Sequence, residues 1–316
     1  MTPNFYDNLA QKPELAKILE HLNHDEIQAL MHAQEIHMVE LFDPNASQSS
    51  VSSSGQNIGA IHALVGLSPS QINMASALFY NLLELELRNN FQNRSQLRLI
   101  LALISGRLHD DTAAQLHGHE RILADLANSI NNPLPAPGLT WSAAAATEVS
   151  HLVHLPGILG AAILSPDASG ALSVVAIDST STKMAEEFSW PYARRITLKE
   201  KSFESTAEPI SRAWRTGRVV TLATVSNSDS LGVLAGLAPD STIRSLAAIP
   251  IVDQRLRPVA ILTLVGSRPK MFETPWGMQL CSNLVQRLGL VHQQSRLATP
   301  PVPLTQQAIW RTQLCQ

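Results

Sequence analysis

I58-G-A-I-H-A-L-V-G-L-S-P69 sets one histidine, His62, inside an apolar helical pattern and then stops the helix with Gly66, Ser68 and Pro69. The apolar residues recur at spacings of three and four, which is the helical period. Ile58, Ile61, Leu64, Val65 and Leu67 surround the imidazole and offer it no carboxylate or amide. A buried ring nitrogen without a partner costs about 1–3 kcal/mol. A flat, apolar macrocycle bound through one axial ligand satisfies both the nitrogen and its surroundings, which is the requirement for haem held by a proximal histidine. The ordinary alternative stands beside it: the chain has 11 histidines, and a lone one on a helix is commonly a satisfied core or surface residue.

Outward from that stretch, the same period runs from Phe5 to about Ile130, so this half is expected to be all-α. One helix should span Asn23 or Asp25 to Phe42, with Leu30 on or near its apolar face. The serine-rich run D43-P-N-A-S-Q-S-S-V-S-S-S-G55 reads as a loop. Helices follow over Ser70–Asn89, which carries Phe79, and over Ser95–Leu108. H109-D-D-T112 is expected to give a bend before the helix resumes to Ile130.

N131-N-P-L-P-A-P-G138 holds three prolines and a glycine, which no regular element tolerates, and marks a domain boundary. W141-S-A-A-A-A-T-E-V-S-H-L-V-H154 reads as one helix feeding the second domain. From Gly157 the pattern turns to strands: I158-L-G-A-A-I-L164 and A171-L-S-V-V-A-I177 joined by a hairpin, then Arg195–Leu198, Val219–Leu222, Ser245–Val252 and Pro258–Val265. Helices are expected over Ser205–Thr216 and Pro275–Gln294. The fold class is therefore multidomain. An all-α domain at 1–130 and a Pro-rich linker at 131–140 precede an α+β domain at 141–296, built as a five- or six-stranded antiparallel sheet with flanking helices. Residues 297–316 read as a linker and the start of a further domain.

Composition excludes several classes. The formal net charge is −3, from 23 Lys+Arg against 26 Asp+Glu, and no basic block occurs. Nucleic acid and anionic membrane surfaces are thus not expected as partners. No apolar run reaches the ~18 residues of a membrane span, and no signal peptide is legible at the start, so a cytoplasmic location is expected. Cys281 and Cys315 make neither a disulfide framework nor a four-cysteine zinc site. His32 and His37 are five apart and do not share a helix face well, so a metal pair is not expected there; H117-G-H119 and H151-L-V-H154 could chelate a divalent ion but lack companion ligands, so those two pairs read as solvated. G-x-S-x-G, a phosphate-cradling glycine loop and H-E-x-x-H are absent, and no catalysis is expected within these residues.

The stretch around His62, followed by I72-N-M-A-S-A-L-F-Y-N-L-L83, resembles the proximal segment of the globin-coupled sensors, the bacterial haem-based oxygen sensors. F5-Y-D-N-L-A-Q-K-P-E-L-A-K-I-L19 resembles their distal helix and the turn after it, and H24-D-E-I-Q-A-L-M-H-A-Q34 the next helix. The likeness covers about residues 5 to 110. It implies haem b (heme, an iron porphyrin) with His62 as the iron ligand, Tyr6 as a hydrogen-bond donor to bound gas, and Leu30 as an apolar shield. Ile58, Leu67 and Phe79 complete the expected cofactor contacts. The alternatives are a buried aromatic at Tyr6 and ordinary core packing at Leu30. Only M1-T-P-N4 precedes Phe5, where the family carries a further helix and most of the distal helix.

S241-T-I-R-S-L-A-A-I-P-I251, the strand Pro258–Val265 and S267-R-P-K-M-F272 resemble a GAF domain over about 141 to 295. Phe188, Trp190 and Trp214 could line its pocket, although core or interface packing is the competing reading. Arg244 reads as a structural hydrogen bonder. T305-Q-Q-A-I-W-R-T-Q-L-C-Q316 resembles the helix leading into EAL-type cyclic-di-GMP phosphodiesterases.

The resemblances imply a sensor input module for O2 or another diatomic gas. It would regulate a diguanylate cyclase or EAL phosphodiesterase and dimerise through the globin helices and the GAF terminal helices. The alternative function is a haem-free helical dimerisation scaffold carrying a small-ligand-sensing GAF domain.

Overall fold

A computed structural model describes residues 2–20, 22, 24–168, 170–181, 196–197, 209–225 and 243–298. The helical half comprises α1 (Thr2–Ala10), α2 (Pro13–Leu19), α3 (His24–Phe42), α4 (Gln48–Leu64), α5 (Pro69–Asn90) and α6 (Arg94–Ile130). After α7 (Trp141–Val153) come β1 (Ile158–Pro166), β2 (Ala171–Ser179), β3 (Ile196–Thr197), α8 (Pro209–Thr216), β4 (Val220–Leu222), β5 (Ser245–Val252), β6 (Pro258–Gly266) and α9 (Pro275–Ala298). The expected order of an all-α half followed by an α+β half is what the chain adopts.

The six strands form one antiparallel sheet in the order β3-β2-β1-β6-β5-β4. Its central strands are mainly apolar because both faces are covered, with Ser245 and Thr263 as buried polar exceptions. Ala161, Ile163, Ala247, Ile249, Leu262 and Leu264 face a core shared with α7 and α9. The alternate residues Ala162, Leu164, Leu246, Ala248, Ile261 and Val265 pack with Ile210 and Ala213 of α8. This is the period-two alternation of a strand, with apolar residues on both sides. Pro250 is tolerated in β5 because β4 pairs only with Leu246–Ala248, so beyond that point β5 has β6 alone as its neighbour.

Two expectations in the helical half are corrected. The serine-rich run is not a loop to Gly55, since α4 begins at Gln48. Ser47 caps it, accepting the Ser50 N–H at 3.1 Å. The small residues serve close packing: a Cβ on Gly59 would lie 1.8 Å from the Gln115 carbonyl oxygen, and one on Gly118 2.0 Å from that of Gln56. Nor does α6 bend at His109–Thr112. Asp111 and Thr112 are buried and find partners inside the helical packing: Asp111 pairs with His37, and the Thr112 hydroxyl donates to the Leu108 carbonyl one turn back at 2.7 Å and accepts from Ser76, so the helix runs on.

The proline-rich segment after α6 forms no regular element, and Arg287 holds it by donating to the carbonyls of Asn132 at 2.5 Å and Pro133 at 2.9 Å. The two halves also share a core: Leu64 of α4 and Leu126 of α6 are buried with Val149, Leu152 and Phe272. No described helix is long and apolar enough to cross a membrane. The expected output-domain helix at 305–316, Phe188, Trp190 and Cys315 lie outside the described residues.

Candidate functional site

The punctuation after His62 has a local cause. Gly66 takes φ +81°, the left-handed region that favours glycine. Its N–H donates to Ala63 O at 3.0 Å, and Leu67 N–H reaches back to His62 O at 2.9 Å. This double bond pattern is a Schellman stop. Ser68 then caps α5 in a reciprocal box with Gln71, and Pro69 takes the first helical turn. His62 is thus fixed one turn from a rigid corner.

Along α4, Val51, Gly55 and His62 fall on one face, and Gly55 points at Ala114 and Asp111 of α6. The imidazole therefore meets a polar line rather than only the apolar ring expected from its neighbours in sequence. Asp111, Gln115 and His119 recur every four residues on α6. The Gln115 amide donates to Asp111 Oδ2 at 2.7 Å, and the other carboxylate oxygen pairs with His37 Nε2 at 3.1 Å. Ser54 Oγ lies 3.3 Å from His37 Nδ1. His119 is buried, correcting its expected solvation, and faces Leu67 O at 2.7 Å through Nε2. A carbonyl only accepts, so Nε2 of His119 carries the proton.

Burial holds the His62 imidazole down at about 4, aided by the neighbouring His119 and opposed by Asp111 and Gln115. It is neutral at ordinary pH, the form in which an imidazole binds a metal. Its Nδ1 is buried without a hydrogen-bond partner.

The remaining expected residues divide. Tyr6, Phe79 and Leu67 come together in one apolar cluster with Phe5, Leu41, Val51 and Leu108. Phe5 stacks edge-on to Tyr6 at 5.3 Å and to Phe79 at 5.6 Å. Burial raises the Tyr6 hydroxyl, which stays protonated and able to donate. Ile58 is half-buried. Leu30 shares a face of α3 with His37 and Leu41 but is 38% exposed, so it does not act as a lid over this interior. Ile61 of α4 is likewise 40% exposed.

These residues fit haem held by one imidazole: a neutral His62 with an unpartnered nitrogen, apolar side chains left uncovered on α3 and α4, and a protonated Tyr6. Among the described residues no group of three or more His, Cys, Asp or Glu is placed to hold a metal ion. The small-residue and polar stripes of α4 and α6 were the missed signals: Gly55, Gly59 and Gly118, and Asp111, Gln115 and His119.

In the α+β half, Trp214 packs against the core on the α8 side of the sheet. Arg244 is the structural bonder expected, but its partner is Glu26 of α3, met by both terminal guanidinium nitrogens and at 3.0 Å through Nη2. Cys281 is buried and free, with its thiol pushed up to about 12 by burial.

No curated protein matches the chain. Among solved structures it is similar to free methionine-R-sulfoxide reductase from Neisseria meningitidis, at 16% identity and TM-score 0.39, covering 56% of this chain and 90% of that one. It is also similar to the GAF domain of Acinetobacter phosphoenolpyruvate-protein phosphotransferase, at 12% identity and TM-score 0.37, covering 56% and 94%. The type II enzyme from Thermoplasma acidophilum matches at 12% identity and TM-score 0.36, covering 49% and 92%. Residues 1–121, the span that holds His62, Tyr6 and Phe79 and precedes the α+β unit, match the protein-family model described as Protoglobin.

Proposed function

We propose that the chain is the input region of a haem-based gas sensor, with His62 as the iron ligand. The observation that carries this reading is the neutral imidazole of His62, its Nδ1 buried and unpartnered, inside the Protoglobin match. Bound haem would supply reversible coordination of a diatomic gas such as O2. His62 would hold the iron, and its backbone position is fixed by the Schellman corner. Tyr6 would offer its hydroxyl as donor, and Ile58, Leu67 and Phe79 would exclude water from one side.

The α+β unit is read as a GAF-type sensor module and the whole as cytoplasmic, with cyclic-di-GMP synthesis or breakdown as the output it would regulate. Homodimerisation is supported by apolar side chains left exposed on the paired helices α5 and α6 and the turn between them, namely Leu85, Phe91, Leu99 and Leu103, and on α9 by Met278, Leu290 and Leu297.

The chain reconstituted with haemin should show a Soret band, and His62→Ala should lose it while far-UV circular dichroism is retained. A wild type that takes up no haemin defeats the proposal. That result would favour a haem-free helical dimerisation scaffold, a reading supported by the rings of Phe5, Tyr6 and Phe79 packing on one another.

A further inference from the structure

The last turn of α4 does not end within the helical half. Ala63 O accepts the indole N–H of Trp276 at 2.9 Å, from the first turn of α9. Leu64 is buried among Val149, Met271 and Phe272. A Cβ on Gly66 would lie 2.8 Å from Cγ2 of Thr274, so the corner after His62 rests on Thr274 without slack. At the other side, Glu26 in the first turn of α3 receives the two-pronged guanidinium of Arg244. Such a fork is orientation-specific, unlike a point charge.

The two grips belong to one strip of the α+β half. Arg244 N–H donates to Gly266 O at 2.7 Å, which ties the residue before β5 to the end of β6. Gly266 in turn lies against Met271 and Phe272: a Cβ there would sit 2.8 Å from the Met271 sulfur and 3.3 Å from the Phe272 ring. Met271 and Phe272 are buried, and Thr274 Oγ1 closes the turn into α9 by donating to Met271 O at 2.8 Å. Packed and bonded elements of this kind transmit displacement because they have no room to absorb it.

We infer that this strip, residues 266–276 with Arg244, is a receiver that grips the start of α3 and the end of α4 together. It reads a shift of the His62 helix against α3 directly, without passing through the α5–α6 pair. The inference rests on the proposed function for what moves α4 in use; the link itself stands on the contacts of Ala63 with Trp276 and of Glu26 with Arg244.

Hydrogen exchange on the full chain tests it, read on peptides covering 55–67 and 266–280. Gly59→Ala, which forces α4 off α6, should speed exchange in both, by about threefold or more in 266–280. Combined with Trp276→Phe and Glu26→Gln, the same change should still speed 55–67 while the response of 266–280 falls to less than half. A response confined to 55–67 in the otherwise wild-type chain, or one in 266–280 that survives loss of both grips, overturns the inference. If Gly59→Ala loses its helical circular dichroism, Gln115→Ala perturbs the same helix pair from the α6 side and is judged by the same two outcomes. In a haemin arm, protection should spread to 266–280 in the wild type and not when both grips are removed. Absence of a Soret band would defeat the sensing proposal alone, leaving the link to be decided by the Gly59→Ala arm.

Discussion

Beneath the sheet the interior is apolar: Ile163, Ile249, Leu262 and Leu264 are fully buried, and the strands that carry them present apolar residues to both faces. Between α4 and α6 it is different, because His37, Asp111, Gln115 and His119 form a polar line in the packed seam. The helical half also leaves large apolar residues uncovered, among them Leu99 at 67% and Leu103 at 72% exposure. The contrast separates a unit that is held by buried area from one that is held by specific fit. Apolar area tolerates substitutions that keep volume and pattern. A seam of bonded polar groups and touching backbones specifies one arrangement, which suits a half expected to respond to a ligand.

The sharpest break in that comparison is a buried charge pair in the α+β half. Arg287 donates to Glu148 through Nε at 2.7 Å and Nη2 at 2.8 Å, with the Glu148 side chain 2% exposed. Arg287→Met leaves that carboxylate buried and unpaired, and releases the Asn132 and Pro133 carbonyls as well. The expected loss is about 3–5 kcal/mol, read by urea unfolding. The exposed Arg88–Glu84 pair on α5 is the counterpart in the helical half, and Arg88→Met should cost under about 0.5 kcal/mol. Equal losses at the two sites would mean that burial does not distinguish them.

A smaller effect tests the seam. Gly59→Ala drives a methyl group into the Gln115 carbonyl and should cost about 3 kcal/mol. Gly106 lies on α6 with nothing within 4 Å of a Cβ, so Gly106→Ala should instead gain about 0.5–1 kcal/mol from helix propensity. Thermal unfolding of the two variants should therefore move in opposite directions. A fall in both would show that glycine serves α6 in some way other than packing.

The same contrast explains what the sequence made legible. Ser245–Val252 could be bounded to the residue because a run buried on both faces announces itself locally. Gln48–Gly55 could not, since serine and glycine have turn chemistry by themselves and become helical only when α6 comes within backbone contact. His109–Thr112 failed likewise: besides local bonds to Leu108 and Gln115, Thr112 and Asp111 take partners in Ser76 and His37, far away in sequence. Of the site, His62 was legible as an anomaly in an apolar pattern, and Tyr6, Leu67 and Phe79 do gather in one cluster. Its polar companions Gln115 and His119 were not, because the histidines of H117-G-H119 look solvated until the helix face is known. Nor does anything in the sequence pair Glu26 with Arg244.

The most delicate comparison uses pH on the haem-free chain. His62 binds a proton near 6.5 when unfolded and at about 4 when folded. Between those values the unfolded state holds more protons, so stability rises with pH and is lost as pH falls from about 6.5 toward 4. Through this group, stability at pH 7 should exceed that at pH 4.5 by about 2 kcal/mol. His292 in the α+β half is lowered too, by burial and then by Arg296, and adds a loss of the same sign. Urea midpoints at pH 7 and pH 4.5 should therefore separate widely in the wild type and less in His62→Gln. His292→Gln then reports the share of the other half. If His62→Gln keeps the full pH dependence, the imidazole is not held neutral against α6, and the polar seam loses the group that makes it a candidate ligand site.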